Sequence, residues 1–171
     1  MREDEDASRL GLVQSSGPVI VIPLPANLTP FPPVDLSFGV GGIEFFSPES
    51  LEEEQAGYRG PGWNDAWLVV AREGACADPV FVDRSHPDLA VLTAVHGAGS
   101  WRASPLAATW RQFVAAVELA RPYTVGREHP VGLEKNPPSP EEQQALRDRL
   151  QGILGATTPQ FWALFLELPE P

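Results

Sequence analysis

The sequence predicts an α+β fold in which an antiparallel meander sheet packs against helices. Three short apolar segments, 67–71, 80–82 and 90–95, follow one another with only turn-length connections. Because no helix-length segment separates them, we expect their strands to pair antiparallel rather than parallel. From Leu106 onward the apolar residues recur every third or fourth position. This spacing is typical of an amphipathic helix that lies on a sheet.

The amino-terminal part of the chain predicts a flexible acidic end followed by extended structure. Residues 1–16 are polar and acidic and have no sustained apolar period. The β-branched residues between Pro18 and Pro23 predict a short strand. Repeated prolines up to position 33 exclude helix and central-strand geometry, so an extended surface segment follows. Residues 43–46 predict a further strand, entered from a glycine turn.

An acidic helix is expected next and should end by Gly57. Ser47 is a candidate N-cap, and Pro48 suits the first helical position. Acidic side chains favour the positive end of the helix dipole, and the segment carries Glu49, Glu52, Glu53 and Glu54.

The central hairpin is predicted from two apolar strands and the turn residues between them. The run 67–71 has the length and composition of a buried central strand. Asp78 and Pro79 form a turn signal, and the returning strand 80–82 is closed by Asp83.

A second turn follows the strand predicted at 90–95. It contains His96, Gly97 and Gly99, and Trp101 comes directly after it. His96 lies at a strand end, where its ring can donate to a loop carbonyl oxygen and fix the turn, and we expect this structural role rather than catalysis.

The carboxyl-terminal part predicts two more helices. The helix that starts at Leu106 should end at Arg121 and Pro122, with Thr109 either inside it or capping it. The proline-rich residues 121–140 predict a surface linker. Ser139 with Glu142 predicts a capping box for a helix that runs to Gly155. The apolar stretch 161–166 is expected to pack back on the domain or to form a self-association face, which would make the chain a homodimer.

The composition limits which kinds of partner the chain can bind. The formal net charge is −11, and residues 1–60 contribute −7 of it, from ten acids and three arginines. Such a chain repels phosphate backbones, so nucleic-acid binding is not expected, and it attracts basic proteins. No apolar run approaches the roughly 20 residues that cross a bilayer, so no membrane partner is expected. A single cysteine and no leader-like start predict a cytoplasmic protein.

Six short signatures in the middle of the chain resemble the SMI1/KNR4 family of the SUKH superfamily. Their linear order, rather than any one of them, carries the resemblance, which spans roughly residues 40–118. In chain order they are Trp67-Leu-Val-Val-Ala, Gly74, Asp78-Pro79-Val-Phe-Val-Asp83, Ala94-Val-His96-Gly97-Ala-Gly99, Trp101 and Pro105-Leu-Ala-Ala-Thr-Trp-Arg-Gln-Phe113.

The resemblance implies one α+β domain without catalytic chemistry. We assign residues 17–120 to this domain; the linker and a helical appendage over 141–168, expected to pack on the domain, lie outside the resemblance. Bacterial members of the family act as immunity proteins that neutralise a cognate toxin, so we expect a non-enzymatic protein-binding function of this kind. The alternative within the family is a regulatory or signalling scaffold.

Candidate partner-binding residues combine charge and aromatic surface. Glu49, Glu52 and Glu53 with Tyr58 can meet a basic face of a toxin domain, or simply form a solvated helix face. Trp63 lies in a turn without apolar periodicity, so it is either a binding anchor or a cover for the sheet edge. Trp67, Trp101 and Trp110 are expected in the core.

An enzyme is the alternative from a different class. Cys76 with His86 or His96, oriented by Asp78 or Asp83, can be drawn as a nucleophile and base. No family-specific motif surrounds the cysteine, so we expect a plain thiol in a hairpin loop. The two aspartates and two histidines match no common metal-site spacing, so neither a metal nor a cofactor is expected.

Overall fold

Six strands form one antiparallel sheet in residues 23–155 and 159–169, the part of the chain that this computed structural model describes. The strands follow one another in chain order across the sheet, so the α+β meander predicted from the sequence is confirmed. They are β1 (Leu36–Phe38), β2 (Gly41–Phe45), β3 (Trp67–Glu73), β4 (Pro79–Asp83), β5 (Ala90–Thr93) and β6 (Ser104–Ala107). The flexible end predicted at 1–16 and the strand predicted at 18–22 lie outside the described residues.

The sequence missed the two edge strands. β1 has three residues and leads directly into a glycine turn, so it shows too little alternation to be recognised. β6 contains Pro105 and Leu106, and the sequence wrongly assigned Leu106 to the following helix. Proline cannot donate to a ladder but is tolerated on an edge strand, which is where β6 lies.

The predicted hairpin is confirmed, and it contains one irregularity. Trp67 pairs with Asp83 at its open end, and the register shifts between Val69 and Ala71. Because of this shift, Val70 and Ala71 both belong to the core cluster on one face, whereas Val69 faces the other.

Five helices accompany the sheet within the described residues. They are α1 (Leu51–Gln55), α2 (Trp110–Thr124), α3 (Pro130–Lys135), α4 (Pro140–Leu154) and α5 (Gln160–Phe165). None of the helices in the described ranges is both long enough and apolar enough to span a bilayer.

Two of the three helix N-caps predicted from the sequence are confirmed. The Ser139 hydroxyl accepts from the Glu142 amide and the Glu142 carboxylate accepts from the Ser139 amide, so the capping box is confirmed. Thr109 caps α2. The predicted start at Ser47 is wrong: its hydroxyl accepts from the Ser50 amide 3.3 Å away, which forms a turn, and α1 begins only at Leu51.

The expected linker at 121–140 is also wrong. Pro122 lies inside α2, which continues to Thr124, and α3 occupies the middle of the segment. Arg127, only 5% exposed, donates to the carbonyl oxygens of Tyr123 and Asn136, each at 2.7 Å, and contacts the Glu142 carboxylate at 3.2 Å. Buried hydrogen bonds thus fix this proline-rich segment in place, which composition alone could not indicate.

The two faces of the sheet carry separate cores. The larger core lies under α2, α4 and α5, where Trp110, Phe113 and Trp162 are buried. Trp162 and Leu166 are fully buried, so the apolar carboxyl-terminal stretch packs back on the sheet side of the molecule. The smaller core lies on the opposite face, beneath α1, and contains Leu51 and Val69.

Candidate functional site

Five aromatic rings gather on the α1 face of the sheet and are called the aromatic cluster below. Neighbouring ring centroids are 4.7 to 5.8 Å apart, within the range of favourable aromatic contacts. Its members are Tyr58, Trp63, Trp67, Phe81 and Trp101.

Trp63 lies at the centre of the aromatic cluster and contacts all four other rings. These contacts support the interpretation that Trp63 covers the sheet, although its ring stays partly exposed. Its role as a partner anchor stays a prediction. Trp67 and Trp101 are also partly exposed, whereas Trp110 belongs to the larger core and is 1% exposed.

A close contact between two loops places Trp101 in the aromatic cluster. The Trp101 amide donates to the Pro61 carbonyl oxygen at 2.9 Å. Gly62 has φ +83°, and a Cβ there would lie 2.6 Å from the Trp101 carbonyl oxygen. Only glycine allows both this backbone conformation and this approach.

The acidic helix α1 is fixed to the sheet by one apolar and one amide side chain. Leu51 is fully buried against the smaller core. The Gln55 side chain accepts from the Val69 amide at 2.8 Å and donates to the Val69 carbonyl oxygen at 2.9 Å. Gln55 could not be recognised from the sequence, because a single glutamine in an acidic run gives no signal of its own.

Three carboxylates of the acidic segment, one just before α1 and two within it, have no ion pair with a described residue. Glu49 and Glu53 are exposed and Glu52 is half-buried. Within the described residues, no ion pair involves any of these three. Arg72 on β3 lies over the Phe46 ring and is paired with Glu44 at 2.8 Å.

Electrostatics in this region follow from burial and from the acids. Burial, and then the Glu54 carboxylate, raise the pKa of Tyr58, while Arg72 opposes them. The Glu44 carboxylate raises the pKa of Arg72 by accepting its hydrogen bond. Tyr58 is therefore a neutral hydrogen-bond donor beside a negatively charged helix at neutral pH.

The turn residues of the hairpin region have structural contacts. The Asp78 carboxylate accepts from the His96 backbone amide at 2.6 Å and so ties the β3–β4 turn to the end of β5. No described hydrogen bond joins the His96 ring to a loop carbonyl; its imidazole lies beside the loop residue Trp101, with centroids 6.0 Å apart, and its structural role stays a prediction. The Asp83 carboxylate accepts from the backbone and hydroxyl of Ser85.

The remaining motif residues lie in the same turns. Gly97 and Gly99 have φ of +78° and +80°, which explains glycine at both positions. Pro79 is the first residue of β4 and is buried.

The described hydrogen bonds of Cys76, His86 and His96 are made to other groups and not to one another. Cys76 is exposed, and its amide donates to the Glu73 carboxylate at 2.7 Å. His86 accepts from the Asp88 amide through Nδ1, and no described hydrogen bond joins Cys76 to His86 or His96. Residues 23–155 and 159–169 contain no group of three or more His, Cys, Asp or Glu placed to hold a metal ion.

Comparisons with protein-family models, curated proteins and solved structures gave no match. The SMI1/KNR4 resemblance stays a prediction from the sequence.

Proposed function

We propose that this chain is a non-enzymatic protein-binding domain that contacts a basic partner through α1 and the adjoining aromatic cluster. The observation that carries the proposal is a run of carboxylates, without ion pairs in the described part of the chain, that leads directly into an ordered aromatic cluster with half-buried tryptophans. Glu49, Glu52 and Glu53 lie in the acidic segment that precedes Tyr58, and the buried Tyr58 ring stacks on the half-buried Trp63 ring with centroids 5.8 Å apart. Aromatic anchors with complementary charge are the usual components of a specific interface.

Rigidity of this surface supports the proposal. The amide pair between Gln55 and Val69 holds α1, and the interlocked rings hold Trp63. A partner would therefore meet a surface that is already ordered, and binding would cost little conformational entropy. The net charge of −11 adds long-range attraction for a basic partner.

The SMI1/KNR4 resemblance supports a more specific form of the proposal. We infer an immunity protein that acts in the cytoplasm and neutralises a cognate toxin domain with a basic face. A regulatory scaffold of the same family is the alternative, since it would use the same surface on a different protein.

Capture from a lysate of the source cell tests the binding surface. The immobilised wild-type chain is compared with a Glu52→Arg/Glu53→Arg variant, and Glu141→Arg/Asp148→Arg on α4 is the control with the same change in net charge. The proposal predicts a partner that the α1 variant loses and the α4 variant keeps. Equal capture by all three chains contradicts it.

Co-expression separates the two family roles. The chain is expressed together with the product of a toxin gene adjacent to its own. Growth rescue by the wild-type chain, but not by Glu52→Arg/Glu53→Arg, supports immunity. Capture of a partner without rescue of growth supports the scaffold alternative.

A further inference from the structure

A second concave surface, called the apolar groove below, lies on the other face of the sheet. It is open to solvent, has a volume of about 670 Å³, and lies between the β1–β2 turn, the β3–β4 turn, α3 and α5. Ligand sites in proteins commonly measure about 300–1,000 Å³. Its side chains Leu133, Phe161 and Phe165 pack against the larger core, whereas Tyr58 and Trp63 pack against the smaller one.

Two glycines bring the walls of the apolar groove together. A Cβ on Gly39 would lie 2.9 Å from a Leu133 methyl carbon, and a Cβ on Gly41 would lie 3.1 Å from the Phe165 ring. The β1–β2 turn is therefore packed directly under side chains of α3 and α5. This close packing makes the groove a fixed feature of the fold rather than a gap between mobile loops.

Two exposed aliphatic side chains line the apolar groove. Val40 and Leu164 are 76% and 71% exposed. An aliphatic group bound in the groove would remove their apolar surface from water.

The rim of the apolar groove is negatively charged. Its lining, within the described residues, contains no Lys or Arg but includes the carboxylates of Glu73, Asp78, Glu134 and Glu167. Backbone amides orient two of them: Glu73 accepts from Ala75 and Cys76, and Asp78 accepts from His96. None of the four forms an ion pair with a described residue.

We propose that the apolar groove binds a short amphipathic, cationic segment of a partner protein. Aliphatic side chains of the segment enter between Leu133 and Phe165, and its Lys or Arg residues meet the rim carboxylates. Charge complementarity selects this chemistry, because an acidic or uncharged segment gains nothing from the rim. This site goes beyond the surface proposed above, lies on the opposite sheet face and does not depend on it.

Cys76 provides a direct readout, because it is the single cysteine of the chain and lines the apolar groove. The probe is a synthetic peptide of alternating leucine and lysine pairs, and the control peptide has serine in place of leucine. Titration of the full chain is followed by peptide fluorescence anisotropy and by the rate at which a water-soluble disulfide reagent modifies Cys76.

The expected result is saturable binding of the leucine peptide that slows modification of Cys76. Leu164→Gln and Val40→Thr keep the shape of the surface and remove apolar contact, so each should weaken binding about tenfold, the effect of one lost aliphatic contact. Glu134→Gln should weaken binding and flatten its salt dependence. Glu141→Gln on α4, which lies outside both the apolar groove and the α1 surface, should leave both readouts unchanged.

Four results would overturn the proposal. The first is equal binding of the serine peptide, because the contact is then purely electrostatic. The second is binding that leaves the rate of Cys76 modification unchanged, because the peptide then binds elsewhere. The third is equal loss of affinity in Glu141→Gln and Glu134→Gln. The fourth is a dimer in sedimentation that Leu164→Gln converts to monomer without an effect on the peptide, which would assign the apolar groove to a second copy of this chain. None of these results bears on the α1 surface, whose own variants test it separately.

Discussion

The side-chain amide of Gln55 pairs with both backbone polar groups of Val69, with distances of 2.8 and 2.9 Å. Val69 lies where the register of β3 and β4 shifts, and its side chain is fully buried. Gln55 satisfies the two backbone groups of Val69 and at the same time attaches α1 to the sheet. A hydrogen-bonded side chain, rather than a long apolar face, thus positions the acidic helix.

Gln55→Ala tests this attachment. It removes the partners of a buried amide and a buried carbonyl, so the free energy of unfolding should fall by about 2–4 kcal/mol. Chemical denaturation followed by circular dichroism measures the change. Glu53→Ala on the same helix is the control and should change stability by less than about 0.5 kcal/mol. Equal stability of the two variants would show that Gln55 does not hold α1.

Two glycines with similar backbone conformations allow a matched comparison of loop contacts. Gly62 has φ +83° and little space for a Cβ, whereas Gly97 has φ +78° and open space around it. Gly97→Ala should lower the free energy of unfolding by about 1–2 kcal/mol, because alanine must adopt the left-handed conformation. Gly62→Ala should cost about 1–3 kcal/mol more, because the Trp101 backbone must move. It should also change the tryptophan fluorescence of the folded protein. Equal costs and identical spectra would contradict the close approach.

Arg127 is expected to fix the segment that connects α2 to α4. Arg127→Met removes the donors to the Tyr123 and Asn136 carbonyl oxygens, so unfolding free energy should fall by about 2–4 kcal/mol. Amide hydrogen exchange should accelerate in α3 and at the start of α4. Arg121→Met, which removes a surface pair with Glu118, is the control and should have little effect. Unchanged stability and unchanged amide hydrogen exchange in Arg127→Met would contradict this role and would indicate that residues 121–140 act as a linker.

Alkaline stability should depend on Tyr123. Burial raises the pKa of Tyr123 from 10.0 to about 12, and its hydroxyl donates to the Leu166 carbonyl oxygen at 3.2 Å. A folded-state pKa above the unfolded one stabilises the fold fully below pH 10, and this contribution is lost as the pH rises from 10 to 12. Across this pH range, the free energy of unfolding should decline less for Tyr123→Phe than for wild type. The chain has two tyrosines, so ultraviolet titration of the variant reports Tyr58 alone. Parallel declines would contradict the assignment.

Sequence patterns predicted the strands and helices that carry a continuous apolar run or a recognisable helix cap. β3 and β4 were recognisable because their apolar runs are continuous, and α4 because Ser139 and Glu142 mark its start. β6 was missed because the apolar period of the adjacent helix runs through Leu106. α3 has no buried residue and so lacks an apolar face to detect.

The candidate site was only partly predictable for a related reason. Acidic residues and a tryptophan in a turn are recognisable in the sequence, so the acidic helix and Trp63 could be predicted as candidate partner-binding residues. Their relation to each other depends on contacts between residues distant in the chain, such as Gln55 with Val69 and Gly62 with Trp101. The apolar groove depends on the packing of α3 and α5 against a turn more than 90 residues earlier, which no local pattern encodes.

The most direct test of the α1 surface is the affinity of a captured partner for two forms of the chain. Titration calorimetry compares wild type with Glu52→Arg/Glu53→Arg at low and at high salt. The variant should bind at least about tenfold more weakly at low salt, and the difference in affinity should narrow as salt screens the charges. Equal affinities for the two chains, with the same salt dependence, would contradict it.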